Sequence, residues 1–223
     1  MIGFYDYTVV LTYISLVSGV TGIMISLSDM GHPFYGAFFL LLSGLCDAFD
    51  GKVARTKQNR TESQKKFGIQ IDSLSDLVAF GVLPASIGAA LFRRLSLESK
   101  VFPRSYTVLI FAVIAFYVLM AMIRLAYFNV LEENRQASDN GDRKSYVGLP
   151  VTSAALIFPL VLLVRYFLPT DITPLYFATM LFVGVLFVSK IKVTKPGLRG
   201  ILIMICLGAA EFVALILFKL LAK

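Results

Sequence analysis

The chain has 223 residues, of which 57% are hydrophobic and only 16% charged, and its mean hydropathy is +0.78. Soluble globular domains carry about a quarter charged residues, so this composition excludes a soluble protein and predicts an integral membrane protein. The net charge is +7, but the basic residues lie in the connections between apolar runs, and nothing in their pattern indicates a nucleic-acid partner.

Uncharged runs set the order of the predicted helices. A transmembrane helix needs about 20 apolar residues, so we expect an all-α bundle of six or seven transmembrane helices, forming a single membrane domain over residues 1–223. The second and third helices extend past their apolar halves through the charged stretch 47–76. The runs lie at 8–28, 33–46, 77–92, 105–123, 145–164, 172–189, 200–210 and, after Glu211, 212–218.

The basic residues indicate the orientation in the membrane. Of the 21 lysines and arginines, 14 fall in the second, fourth and sixth connections, which lie on one side by alternation. The positive-inside rule makes that side cytoplasmic, so we expect a multi-pass protein of the cell membrane with the stretch 47–76 facing the cytoplasm. Such loops also attract anionic membrane lipids. The third connection, which alternation places on the opposite side, also carries a basic group that weakens this orientation: Arg93, Arg94, Lys100 and Arg104.

The third apolar run contains a proline among small residues, in the segment GVLPASIGAA at 81–90. Proline frees backbone groups within a helix, and neighbouring helices satisfy them in membrane proteins. Small residues allow close helix contacts. We therefore expect a kink near Pro84 and close packing of this helix.

Four aspartates are placed at helical spacings on either side of the second connection. At about 100° per residue, Asp47 and Asp50 share one arc of a helix, and Asp72 and Asp76 share one face of the next. Four carboxylates converging in a low dielectric would repel by several kcal/mol, so a strong cation is expected between them. An all-oxygen ligand set favours Mg²⁺ or Mn²⁺, with Ca²⁺ as a substitute or inhibitor.

Ion pairing with basic residues is the alternative to a metal ion between the aspartates. The acids could pair with nearby lysines and arginines, but only Lys52 and Arg55 share the first helix, so pairing does not account for all four.

Gly51 follows Asp50 on the same arc of the helix. Its missing side chain would let a phosphate approach the backbone, and Arg55 could then bind that phosphate. Close helix packing is the other explanation for this glycine.

The same residues form a longer pattern, D-x2-D-G-x2-A-R followed by G-x3-D-x3-D. It resembles the signature of the CDP-alcohol phosphotransferases, and its chance occurrence is on the order of one in 10¹⁰ per start point. The segments SLSDLVAFGVLPA, RLAYFNV and YVGLP are similar to the phosphatidylserine synthase branch. The 12 residues between Arg55 and Gly68 make a longer connection than in much of the family, and Ser15 stands where the branch has asparagine.

The resemblance implies transfer of the phosphatidyl group from CDP-diacylglycerol to the hydroxyl of L-serine, with release of CMP. It implies an in-line displacement assisted by two divalent ions, and a homodimer. Asp47, Asp50 and Asp72 would be metal ligands, and Asp76 a ligand and the catalytic general base. The residues expected to bind the nucleotide and its phosphates are Gly51, Ala54, Arg55, Gly68 and either Thr61 or Ser63.

The acceptor pocket is open to more than one interpretation. Arg124 is a cation at membrane depth that could bind the carboxylate of serine, with Asn129 nearby, or could balance the acids or a lipid phosphate. Lys65, Lys66, Arg143 and Lys144 could instead serve a phosphorylated acceptor such as inositol phosphate or glycerol phosphate.

Two other classes of protein also carry acids in membrane helices. An ion-coupled transporter would place ionisable groups at several depths, whereas these acids cluster at one end of two helices. A non-catalytic lipid-binding relative would have lost a metal acid, and none is lost. The single histidine, His32, lies in the opposite connection, where we expect a structural role.

Overall fold

The computed structural model describes residues 3–28, 32–99, 104–137, 145–167, 170–194 and 198–221. These residues are almost entirely helical, with one short antiparallel ribbon. The helices are α1 (Val10–Leu27), α2 (Pro33–Thr56), α3 (Glu62–Asp76), α4 (Leu83–Ser99), α5 (Arg104–Ala137), α6 (Ala154–Val164), α7 (Thr173–Val188) and α8 (Leu198–Leu221). The ribbon pairs β1 (Ser145–Val147) with β2 (Lys192–Thr194).

Helix length and composition fit a membrane protein. Three stretches of the described chain are long and apolar enough to cross a membrane, namely Tyr7–Leu27, Glu62–Leu97 and Arg104–Glu133. Shorter apolar helices follow at Val151–Val164, Thr173–Val188 and Leu202–Phe218. The predicted all-α membrane fold is confirmed, and the charged stretch 47–76 extends α2 and forms α3 as expected.

The first helix, α1, turns its polar side inward. Its buried residues are all small or hydroxylated, whereas Val17 and Met24 are 65% and 68% exposed. The Ser18 hydroxyl donates to the carbonyl oxygen of Phe39 at 2.9 Å, which ties α1 to α2. Lipid replaces water around a membrane helix, so small polar residues serve the helix contact and apolar residues face outward. The buried residues of α1 are Thr12, Ser15, Ser18, Gly19, Gly22 and Ser26.

A π-helical segment, Leu77–Val82, joins α3 to α4 in one continuous helix. Pro84 lies just after it and has no N–H to offer the carbonyl of Phe80 one turn earlier. The Tyr117 hydroxyl of α5 donates to that carbonyl at 2.7 Å, and the Tyr176 hydroxyl of α7 donates to the Pro84 carbonyl at 2.9 Å. Neighbouring helices thus satisfy the backbone around Pro84, as predicted.

The chain between the fourth and fifth apolar runs differs from the prediction. Helix α5 continues to Ala137, well beyond the fourth apolar run at 105–123, and residues 138–144 lie outside the described part. The run 145–164 begins as strand β1 and is helical only from Val151. Gly148 explains the break, because its φ is +79° and a Cβ there would lie 2.6 Å from the carbonyl oxygen of Phe187.

Candidate active site

The acids of α2 and α3 meet near the beginning of α1. One carboxylate oxygen from each of Asp47, Asp50 and Asp72 lies within 4.8 Å of the other two. Asp76, one turn after Asp72, is only 8% exposed and close enough to interact electrostatically with the other three carboxylates. Carboxylate oxygens at this separation fit a hard divalent cation such as Mg²⁺ or Mn²⁺.

Helix α1 supports both acid-bearing helices through Thr12. The Thr12 hydroxyl lies 3.5 Å from Oδ2 of Asp50, to which it donates. The carbonyl oxygen of Thr12 accepts a hydrogen bond of 3.1 Å from the Ser75 hydroxyl of α3. Thr12 was not predicted from the sequence, although small polar residues recur every three or four positions along α1 and mark the face that contacts α2 and α3.

Gly51 leaves an open place on the surface of α2. A Cβ built at Gly51 would have only the Arg55 guanidinium within 4 Å among the described residues, with Nη1 at 3.5 Å. By contrast, a Cβ at Gly44 of the same helix would lie 2.5 Å from the Cβ of Ala155 in α6. Close helix packing therefore explains Gly44 but not Gly51.

Arg60 closes the connection between α2 and α3. Its Nη1 donates to the carbonyl oxygen of Ala54 at 3.5 Å, and its Nη2 donates to that of Gln64 at 3.2 Å. A Cβ at Gly68 would lie 2.6 Å from Nη2. Gly68 thus makes room for an arginine that links the end of α2 to the first turn of α3.

The two hydroxyl candidates of this connection have different surroundings. Thr61 caps α3: its Oγ1 accepts from the Gln64 amide at 3.2 Å, while its own amide donates to Oε1 of Gln64 at 3.0 Å. This reciprocal pair is a capping box. Ser63 is exposed in the first turn of α3.

The segment preceding α1 contacts the same connection. Nζ of Lys57 lies 2.7 Å from a carboxylate oxygen of Asp6, and the hydroxyls of Tyr7 and Thr56 are 3.2 Å apart. The rings of Phe4 and Phe67 pack edge to face, with centroids 5.5 Å apart. Hydrogen bonds from Lys57 and Thr8 hold the pKa of Asp6 well below its usual range. This attachment was not predicted from the sequence.

The two acceptor candidates on α5 differ in their contacts. Oδ1 of Asn129 accepts a hydrogen bond of 2.9 Å from Ser73, the residue next to Asp72. Arg124 is 6% exposed, donates from Nε to the carbonyl oxygen of Leu149 at 3.2 Å, and lies over the Phe128 ring at 5.2 Å. Asn129 therefore contacts the acid-bearing helix α3, whereas these Arg124 contacts are with α5 and the segment after β1.

His32 lies at the opposite end of α2. Its Nδ1 accepts a hydrogen bond of 3.3 Å from the Phe34 amide and so caps the first turn of that helix. This contact agrees with the structural role expected from the sequence.

A sequence model of the CDP-alcohol phosphatidyltransferases matches residues 8–189, which includes the aspartates, α1 and the Arg124 region. The chain belongs to this family. The match covers well over half of the chain and ends shortly before β2.

Three relatives illustrate the similarity of this chain to known proteins. A CDP-diacylglycerol–serine O-phosphatidyltransferase of Helicobacter pylori is 31% identical over 179 residues, which are 77% of this chain and 65% of that protein. The Saccharomyces cerevisiae protein of the same name is 36% identical over 172 residues, 73% of this chain and 56% of that one. An archaetidylserine synthase of Methanothermobacter thermautotrophicus is 30% identical over 190 residues, 85% of this chain and 70% of that one.

The chain thus spans slightly less than two thirds of the Helicobacter relative and just over half of the yeast relative.

Proposed function

We propose that this protein transfers the phosphatidyl group of CDP-diacylglycerol to the hydroxyl of L-serine, giving phosphatidylserine and CMP. The observation that carries the proposal is the approach of Asp47, Asp50 and Asp72 to within 4.8 Å beside the open surface at Gly51. Family membership and the names of the similar proteins support the same chemistry.

The four aspartates would hold two divalent ions, Mg²⁺ or Mn²⁺. When bound, the ions would neutralise the pyrophosphate and stabilise the attacking and departing oxygens of an in-line displacement. The Thr12 hydroxyl would orient Asp50 for ligation, as outer-shell partners of metal ligands do. Asp76 would also accept the proton of the serine hydroxyl as that oxygen attacks the phosphorus bearing the lipid.

The nucleotide would lie along the last turns of α2. The missing side chain at Gly51 admits the phosphates, and the exposed Arg55, one turn later, offers a bidentate guanidinium. Ala54 and Gly68 would border the cytidine. Because the Thr61 hydroxyl already caps α3, Ser63 is the better candidate for a hydroxyl contact to the nucleotide.

The acceptor pocket would be bounded by α5. Asn129 approaches the acid-bearing helix through Ser73, and Arg124 supplies a buried cation for the carboxylate of serine. Lys65 lies 3.2 Å from Glu62 and Lys66 lies 3.7 Å from Glu133, so both candidate phosphate-binding lysines already face carboxylates. This pairing favours serine over a phosphorylated acceptor. Arg143 and Lys144 lie outside the described residues.

We further propose that the aspartates lie at the cytoplasmic face of the cell membrane and that the protein functions as a homodimer. The first proposal rests on the concentration of lysine and arginine in the connections at that end of the bundle. The second rests on the family resemblance.

The decisive experiment measures CMP release from CDP-diacylglycerol by the purified protein with Mg²⁺ or Mn²⁺. Serine, inositol phosphate, glycerol phosphate and choline are supplied in turn, and an Asp47→Asn variant is the control. CMP release that requires serine supports the proposal, whereas release with a phosphorylated acceptor alone would show that the acceptor is not serine. No release with any alcohol would contradict the enzymatic function. A parallel series with the ether-linked CDP-archaeol tests which lipid backbone is used, since one similar protein is an archaetidylserine synthase.

A further inference from the structure

A cavity lies at the end of the bundle opposite the aspartates. Its volume is about 220 Å³, and it opens between the end of α1 and the second half of α4. Along α1, Leu27 at this cavity is 15 residues from Thr12 at the acid site, a rise of about 22 Å. The lining residues are Ser26, Leu27, Ser28, Ala90, Arg93, Arg94 and Leu97.

The polar lining of this cavity suits an anion. Two guanidinium groups, those of Arg93 and Arg94, line it, and none of the described lining residues carries a carboxylate. Nη1 of Arg93 donates to the carbonyl oxygen of Leu27 at 3.3 Å, which holds that side chain against the end of α1.

The apolar surroundings distinguish a lipid from a free ion. Leu27 and Leu97 at the cavity are 42% and 69% exposed, and Met24, one turn earlier on α1, is 68% exposed. These side chains continue the apolar outer face of α1 into the cavity. A ligand that carries a phosphate on long acyl chains could place its charge among the arginines and its chains along this face.

We propose that this cavity binds the phosphate-bearing headgroup of an anionic membrane lipid. Its volume corresponds to roughly seven water molecules, which is enough for a phosphodiester and part of its glycerol. The site also explains why Arg93 and Arg94 lie near the end of α4, on the side of the bundle that the positive-inside rule would leave poor in basic residues. The inference is independent of the transferase reaction, because the cavity shares no residue with the aspartate site.

The test uses the full-length protein in detergent, with native mass spectrometry as the measurement of bound lipid. The double variant Arg93→Gln/Arg94→Gln should weaken binding of short-chain phosphatidylglycerol about tenfold or more, because it removes two charged hydrogen-bond donors. The matched control is Arg104→Gln/Arg165→Gln, which removes the same charge from the same end of the bundle but outside the cavity. We expect this control to change the affinity less than about twofold.

A second variant tests the site without removing an arginine. Ser28→Glu places a carboxylate at the exposed rim of the cavity and should weaken phosphatidylglycerol binding to a similar extent. Unchanged binding in both variants, or equal loss in the control, would overturn the site. Inorganic phosphate is titrated as a competitor: if it displaces the lipid at equal concentration, the cavity is a free-phosphate site and the lipid assignment is wrong.

Discussion

The hydroxyl group of Tyr117 donates a hydrogen bond of 2.7 Å to the carbonyl oxygen of Phe80. Both residues are fully buried, and Phe80 lies in the π-helical segment that follows Asp76 directly. Pro84 cannot supply the N–H that this carbonyl would meet in a regular helix. A side chain of α5 therefore stabilises the backbone that continues from the acid-bearing helix, and π-helical segments occur frequently at functional sites.

Replacing Tyr117 with phenylalanine should destabilise the bundle by about 1–2 kcal/mol, because it leaves a buried carbonyl without this partner. The free energy of unfolding in mixed micelles is the measurement. Tyr176→Phe is the control, since a carbonyl in a regular helix also meets the amide four residues later, and Pro84 is followed by α4. A loss for Tyr176→Phe equal to that for Tyr117→Phe would contradict this explanation.

Thr12→Val should weaken binding of divalent metal about tenfold, since it removes the hydroxyl that donates to Asp50 while keeping the shape of the side chain. Titration with Mn²⁺ followed by electron paramagnetic resonance measures this affinity without turnover. Thr21→Val provides the control on the same helix, because the Thr21 hydroxyl bonds only locally, to the carbonyl of Val17 at 2.7 Å. Equal affinities in the wild type and Thr12→Val would refute the positioning role.

Gly51→Ala should leave the fold intact, or stabilise it by up to about 1 kcal/mol, yet weaken nucleotide binding. The reason is that the new Cβ meets only the flexible Arg55 side chain but occupies the space proposed for the phosphates. Gly44→Ala in the same helix should have the opposite effect on stability. We expect it to lower the free energy of unfolding by about 1–3 kcal/mol through overpacking against Ala155. Thermal unfolding and CDP binding, measured on both variants, separate the two effects; normal CDP binding by Gly51→Ala would show that no ligand approaches there.

The approach of Asp47, Asp50 and Asp72 could be predicted from the sequence because helical periodicity fixes which residues share a face. A short connection between two helices then brings those faces together. The inward side of α1 was also marked by recurring serine, threonine and glycine. Its contact with Asp50 was not predictable, because the rotation of α1 about its axis depends on packing across three helices.

Other features had no local signal. The π-helical segment after Asp76 uses ordinary apolar residues, and its wider hydrogen bonding is favoured by Pro84 and by Tyr117, which is distant in sequence. The break in the fifth apolar run depends on the backbone of Gly148, whose close contact with Phe187 arises only when α7 is in place. Hydropathy therefore predicted the runs but overestimated the length of this helix.

The ion pair between Asp6 and Lys57 should contribute about 0.5–1 kcal/mol to the free energy of unfolding at pH 7, as expected for a partly exposed pair. A double-mutant cycle with Asp6→Asn and Lys57→Met measures this coupling. Because the pKa of Asp6 is lowered in the folded protein, the contribution is complete above the unfolded pKa of about 4 and is lost as the pH falls below it. Coupling that vanishes already between pH 7 and 5 would contradict the assignment.

Asp76→Asn should retain nucleotide binding but lower turnover by a factor of about 10² to 10⁴, the usual contribution of a general base. An amide keeps the size of the side chain and an oxygen for ligation, but it cannot accept the proton of the attacking hydroxyl. CDP affinity and serine-dependent CMP release are therefore measured on the same preparation. Asp171→Asn, a change in the residue whose Oδ1 accepts from the amide and the hydroxyl of Thr173 at the beginning of α7, controls for the general loss of one carboxylate.

The comparison with Asp47→Asn distinguishes the two roles given to these acids. Asp47 would act only as a metal ligand, so its amide variant should lose Mn²⁺ affinity and recover part of its turnover at high Mn²⁺ concentration. Asp76→Asn should stay slow at every metal concentration, because additional metal does not replace the missing base. Near-normal turnover in Asp76→Asn, or its rescue by Mn²⁺ alone, would remove the proposed base and leave Asp76 as a ligand.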